Sequence, residues 1–134
     1  MSTDISVRSS SYQVEDRSWL VGTHGTDVTP SVTLDISKFT QNTHYPNGFI
    51  KSGTALGKVT ATGLFGPYDN AASDGRETCV GLLFSSVRAI DTSTGSALTK
   101  VGGARFIHGA VNTANLPATV DANGKADLPL IVWL

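Results

Sequence analysis

The residues able to do chemistry are few and scattered. His24, His44 and His108 lie far apart in different settings, and their spacing forms no local metal motif. The acidic residues Asp27, Asp35, Asp69, Asp74, Glu77, Asp91, Asp121 and Asp127 are mostly isolated, so no spacing favours a carboxylate pair flanking a glycosidic bond. Serines are plentiful, but none sits in a Gly-x-Ser-x-Gly elbow. Gly53-Thr54-Ala55-Leu56-Gly57-Lys58-Val59 faintly resembles a phosphate-binding loop, yet three residues separate its glycines where four are needed, and Val59 stands where Ser or Thr should follow the lysine. It reads as a strand entered from a turn. Asp121-Ala122-Asn123-Gly124-Lys125 reads as a hairpin turn, since Asn-Gly accepts positive φ at little cost, and it lacks the later ligands of a calcium loop. No catalytic, cofactor-binding or metal-binding residues are expected, and no cofactor.

Cys79 is the only cysteine, which excludes an internal disulfide and a thiolate metal site. Its setting, Thr78 to Phe84, is that of a small buried strand residue, as in a chain assembled in a reducing cytoplasm. The chain has 134 residues, a size that suits one domain and gains much from oligomerising. Only 16% of residues are charged, against about 25% in an average domain, which suits a protein that covers part of its surface with a partner. The net charge is −1 with Lys and Arg dispersed, so a nucleic-acid partner is not expected. No apolar run approaches the roughly 20 residues of a membrane span, and Met1 to Gln13 has no apolar core of a secretory signal.

The elements that would position any site are short strands between frequent turns. Residues 1–18 are polar and Ser-rich and are expected to form a flexible arm that orders against a partner, leaving 19–134 as one β-rich domain. Within the arm, Ile5 and Val7, and Tyr12 and Val14, are spaced by even steps, so short pieces could become strands. Ser18-Trp19-Leu20-Val21 is the first apolar cluster. Gly22 to Pro30 is loop, and Ser31 to Ile36 alternates as a half-buried strand. Lys38 to Gly48 returns to loop, Phe49 to Lys51 is a short strand, and Leu56 to Thr62 is the next. Leu64 to Tyr68 turns a corner whose Pro67 argues against a central strand. Asp69 to Arg76 forms a loop or a single helical turn. Glu77 to Ile90 is the longest strand signal, with Val80, Leu82, Phe84, Val87 and Ile90 inward and a bulge near Ser85-Ser86. After a turn at Asp91 to Ser96, Ala97 to Val101 forms a strand stopped by Gly102-Gly103, and Ala104 to Val111 is strand-like. Leu128 to Leu134 is so apolar that it must be buried, in the core or between subunits. There is no long helical stripe, so the fold class is mainly β with short helical turns.

The stretch Phe49 to Asp91 resembles the head decoration proteins of tailed phages, the family typified by phage lambda head decoration protein D. Ser52 to Val59 looks like the segment that opens the family's core. Tyr68-Asp69, Asp74-Gly75 and Cys79-Val80-Gly81-Leu82-Leu83 are similar to its Asp-rich turn followed by an Ala-Val-Gly-Ile-Leu type strand. Gly102 to Pro117 resembles its late segment, so the likeness covers roughly residues 46–117. This chain departs in having Ala55 where Pro is common and Leu116-Pro117 without a preceding Trp.

The resemblance implies a compact β-clip or β-tulip-like fold that forms a homotrimer. It implies a non-enzymatic cementing protein that binds the major capsid protein at three-fold positions of the expanded capsid, on the outer surface of the virion, after synthesis in the host cytoplasm. Its N-terminal arm would add a strand to the capsid protein. On that reading Ile5, Val7, Tyr12, Val14, Trp19 and Leu20 face the capsid, and Leu130, Ile131, Val132, Trp133 and Leu134 form the trimer contact. The competing reading is another virion or surface β-module that binds a protein or carbohydrate, with Trp19, Tyr45, Tyr68 and Trp133 as a stacking surface. A small hydrolase with a dispersed site is the remaining alternative.

Overall fold

Alternation is realised first in β1 (Ser31–Asp35), where Val32 and Leu34 are buried and their neighbours face out. The computed structural model describes residues 15–91 and 93–134. The remaining strands are β2 (Phe49–Ile50), β3 (Ala55–Lys58), β4 (Phe65–Pro67), β5 (Cys79–Leu83), β6 (Val87–Arg88), β7 (Lys100–Phe106), β8 (Gly109–Val111) and β9 (Ile131–Trp133). Two short helices, α1 (Gln41–His44) and α2 (Ala122–Ala126), and two 3₁₀ turns complete the described chain.

Five strands close a small barrel in the order β1-β4-β3-β5-β7. The β1–β7 ladder runs antiparallel over five pairs, from Ser31 opposite Ala104 to Asp35 opposite Lys100. Barrel closure depends on one parallel contact, Leu34 opposite Phe65, between β1 and β4. β2 and β6 form one two-stranded sheet, and β8 and β9 form another with parallel strands.

Two apolar clusters fill the molecule. Val32, Leu34, Ile36, Phe39, Tyr45, Ile50, Leu56, Phe65, Leu83, Val87 and Ala89 make the first. The second joins the barrel to the β8–β9 sheet and contains Trp19, Cys79, Leu82, Phe106, Val111, Val120, Leu128 and Ile131.

Several sequence expectations are corrected. Leu64 to Tyr68 contains β4, a barrel strand rather than only a corner. Pro67 is tolerated because it pairs with Leu56 on one side, while the β1 contact lies two residues earlier at Phe65. Gly102-Gly103 does not stop a strand. β7 runs through both, and a Cβ on Gly103 would meet Leu83, Val87 and Val32 at 3.3–3.8 Å, so neighbouring side chains already occupy that space. The Glu77–Ile90 signal divides into β5 and β6 around Phe84-Ser85-Ser86, where the bulge was expected. A register shift also falls between Leu56 and Gly57 of β3. The Ala104–Val111 signal likewise splits between β7 and β8, and the Lys38–Gly48 loop holds α1.

Asp121 to Lys125 is not a hairpin turn but the start of α2. The Asp121 carboxylate caps it, accepting from the Gly124 N–H at 2.8 Å. Gly124 is there for packing: a Cβ would stand 2.8 Å from Val120 and 2.9 Å from the Tyr68 ring.

Candidate interaction surfaces

Trp19 is wholly enclosed in the protomer. Its ring meets Phe106 edge-on at 5.3 Å, and its indole N–H donates to Ser52 Oγ at 3.1 Å. Ser52 is itself buried and donates to the Phe84 carbonyl at 2.7 Å. The following turn residue, Gly53 (φ +92°), leaves room for the indole and for Pro117, since a Cβ there would lie 2.9–3.0 Å from both. Around Trp19 the backbone joins the small sheet. Leu20 bridges Val111, Asn112 N donates to Trp19 O at 2.7 Å, and Val21 N donates to Ala110 O at 3.2 Å. Trp19 therefore offers a partner no surface. It fixes the root of the segment that precedes it.

Residues 15–18, assigned to the arm by sequence, lie against the domain. The Glu15 carboxylate accepts from Ser86 N at 3.1 and 3.2 Å and from Ser86 Oγ at 3.2 Å. Arg17 donates to Ser85 Oγ at 2.7 Å and sets its guanidinium 4.4 Å from the Phe84 ring centre. Asn115 Nδ2 holds Ser18 O at 3.0 Å. A cavity of about 630 Å³ opens between these groups, Lys51 and Pro117. Ile5, Val7, Tyr12 and Val14 lie outside the described residues.

The closing segment divides by parity. Ile131 is buried and Trp133 half-buried against the second cluster, whereas Leu130 (62%), Val132 (59%) and Leu134 (62%) are the most exposed large apolar residues described. Burial of the whole segment, expected from its composition, does not hold within one protomer. Ala110 pairs with Val132 across the parallel ladder, and Val21 follows the Leu20–Val111 bridge, so both fall on the outward face with Leu130 and Leu134. These five apolar residues make one face over β8, β9 and the segment bridged to β8 at Leu20. Apolar patches of this kind mark interaction sites. On the inward side, the indole N–H of Trp133 is buried without a hydrogen-bond partner among the described residues. Val21 and Ala110 escaped the sequence reading because only strand pairing brings them beside Val132.

The chemistry-bearing residues are mostly absorbed by structure. Asp74 holds Arg76 at 3.0 Å and Lys38 at 3.9 Å. Asp35 and Asp91 cap turns through Ser37 and Ser93. Asp127 accepts from Cys79 N at 2.9 Å. The Gly124 amide, then the Tyr68 hydroxyl at 2.7 Å, hold the Asp121 carboxyl below its usual range. Burial, and then Asp121, push the Tyr68 hydroxyl upward. Burial also raises the Cys79 thiol to about 11, so it stays protonated and is a poor nucleophile.

His44 packs on Phe39, while His24 and His108 meet with ring centres 4.6 Å apart. Among the described residues no three His, Cys, Asp or Glu side chains converge, and no helix is long and apolar enough to cross a membrane. The four aromatics offered as a stacking surface do not form one: Tyr45 lies in the first cluster and Trp19 in the second, both buried.

No curated protein matches the chain in sequence. The profile of the family described as Bacteriophage lambda head decoration protein D matches residues 31–129. That span runs from β1 past α2. It extends beyond both ends of the stretch that carried the resemblance, and it takes in all five barrel strands and β8. A match over well over half of the chain, on a fold that is mainly β, places this protein in the bacteriophage lambda head decoration protein D family, structural proteins of the phage capsid.

Proposed function

We propose that the protein binds as a homotrimer at the three-fold positions of the expanded capsid, on its outer surface, and stabilises the shell against internal DNA pressure. The family match over residues 31–129 is the observation that carries this reading. The apolar face of Val21, Ala110, Leu130, Val132 and Leu134 supports it. Copies can meet on such a face without like-charge repulsion, and its burial removes the apolar area left exposed in one protomer.

Residues 1–14 supply the capsid-binding strand. Ile5 and Val7, and Tyr12 and Val14, present same-side pairs to an edge of the major capsid protein, and backbone hydrogen bonds give affinity. Trp19 and Leu20 anchor this strand to the domain instead of inserting into the capsid. Three arms on one rigid body then act together, so a weak single-arm contact becomes a tight clamp. The binding is non-catalytic and needs no cofactor.

The test has two parts. Light scattering coupled to size exclusion should give three times the chain mass. Deletion of residues 1–14 should leave that mass and the fold intact while abolishing binding to expanded, undecorated heads of the cognate phage. Full occupancy by the truncated protein would overturn the arm assignment. A monomer that remains monomeric on the shell would overturn the trimer.

A further inference from the structure

Two His-Gly dipeptides pack against each other reciprocally. Gly25 lies under His108: a Cβ there would fall 1.7 Å from the His108 carbonyl oxygen and 3.2 Å from its Nδ1. Gly109 lies under His24: a Cβ there would fall 2.5 Å from the His24 carbonyl oxygen. Both glycines have positive φ, +81° and +137°. Only glycine permits this approach, and it sets the two imidazoles 4.6 Å apart, centre to centre, at an interplanar angle of 51°.

The surrounding turns hold this arrangement. Thr26 donates to Thr23 O through both its N–H (3.1 Å) and its hydroxyl (2.7 Å), and Val28 N donates to Gly25 O at 3.1 Å. On the other side Gly109 N donates to Leu130 O at 3.2 Å. His24 is exposed and His108 half-buried, and neither imidazole has a hydrogen bond to the described protein.

We propose that His24 and His108 form a two-imidazole site for a divalent transition-metal ion, with water completing the coordination. Imidazole nitrogens suit nickel, copper and zinc. With metal–nitrogen bonds of roughly 2.0–2.1 Å, two imidazoles on one ion have ring centres roughly 4.5 Å apart at a 90° angle and roughly 5.2 Å apart at a tetrahedral angle. The observed 4.6 Å matches the first, the angle of octahedral or square-planar ions. That spacing makes nickel and copper the first ions to test, ahead of zinc. The ion would staple the loop between Trp19 and β1 to the β7–β8 turn.

The experiment is calorimetric titration of NiCl₂ into the tag-free full-length chain, with His24→Gln, His108→Gln and His44→Gln variants whose fold is checked by circular dichroism. The expected result is one equivalent bound, at least about tenfold weaker in either of the first two variants because single-imidazole attachment loses the chelate advantage, and unchanged in His44→Gln. Imidazole NMR signals of His24 and His108 should be the ones lost on adding nickel. Undiminished affinity in either variant, equal weakening in His44→Gln, or no binding at millimolar nickel would each overturn the site.

Discussion

Replacing Ser52 by Ala removes one oxygen that serves two groups, the buried Trp19 indole and the part-buried Phe84 carbonyl. In the native protein Ser52 Oγ accepts from the Trp19 indole at 3.1 Å and donates to the Phe84 carbonyl at 2.7 Å. Ser52 is 3% exposed and Trp19 fully buried, so water cannot take over the bond at the indole end, while the Phe84 carbonyl is part-buried. An unsatisfied buried donor costs about 1–3 kcal/mol, and the smaller loss at the part-buried carbonyl brings the total to about 2–4 kcal/mol. For a chain of this size that lowers the melting midpoint by roughly 10 °C. The assay is thermal and urea unfolding at one fixed protein concentration, because association shifts apparent stability.

Trp19→Phe completes a double-mutant cycle. Once the indole N–H is gone, Ser52→Ala strands only the Phe84 carbonyl, so the two changes should couple by about 1 kcal/mol. Ser86→Ala is the comparison. Its hydroxyl accepts from Ser52 N and donates to the exposed Glu15 side chain, so its loss strands one inner group and should cost about half as much. A Ser52→Ala protein within 0.5 kcal/mol of the parent, or a cycle with no coupling, would refute the account of how the arm's root is held.

Val132→Lys places an ammonium on the outward apolar face, where the side chain is 59% exposed in the protomer. The fold should survive, as judged by circular dichroism, while on the proposed trimer contact burial of the charge between copies weakens association by about 2 kcal/mol or more, seen as a lower mass in light scattering. Gly25→Ala should destabilise far more than Gly95→Ala. Both need positive φ (+81° and +74°), but a Cβ on Gly25 overlaps the His108 carbonyl and one on Gly95 meets nothing within 4 Å. Urea midpoints should show about 1–2 kcal/mol for Gly95→Ala and at least twice that for Gly25→Ala. Asp121 is a carboxyl lowered in the folded state by the Gly124 amide and then Tyr68, so its stabilisation is present above the unfolded value and lost as pH falls through the folded one. The melting gap between the parent and Asp121→Ala should be open at pH 7 and narrow below about pH 4, and a gap that stays constant to pH 2.5 would sink this.

What the sequence made legible follows from local physics. Alternation in Ser31 to Asp35 identified β1, and the Ser52-Gly53 turn and the Asp91 to Ser96 turn stand where their residue types put them. The misreadings share a cause, in that a local signal was outweighed by a distant contact. Pro67 and Gly102-Gly103 carry strand-breaking chemistry, yet β3 and β1 supply ladders that hold both segments extended. Asn123-Gly124 has turn chemistry, but the Asp121 cap and the Tyr68 ring select a helix. The His24–His108 contact joins residues from distant loops, so no spacing rule could have found it. The apolar closing segment was conspicuous, but its division into inward Ile131 and Trp133 and outward Leu130, Val132 and Leu134 needed the pairing of β9 with β8.

That pairing also determines where load on the arm would go. A pull on residues 1–14 meets the Glu15–Ser86 and Arg17–Ser85 contacts first. Both are solvent-exposed polar contacts, individually worth about 1 kcal/mol or less, and they yield early. Next in line is Trp19, locked by Ser52 and packed on Phe106, with Leu20 bridged to Val111 of β8. β8 is paired in turn with β9, whose outward side chains form the apolar face assigned to contact between copies. Arm root and assembly face therefore belong to the same small sheet, outside the five-stranded barrel. On the proposed function, tension from the shell would divide at Trp19, part passing through β8 and β9 to the neighbouring copies and part through Phe106 into β7 of the barrel. The share taken by neighbouring copies is load that the single Leu34–Phe65 closure would not have to bear.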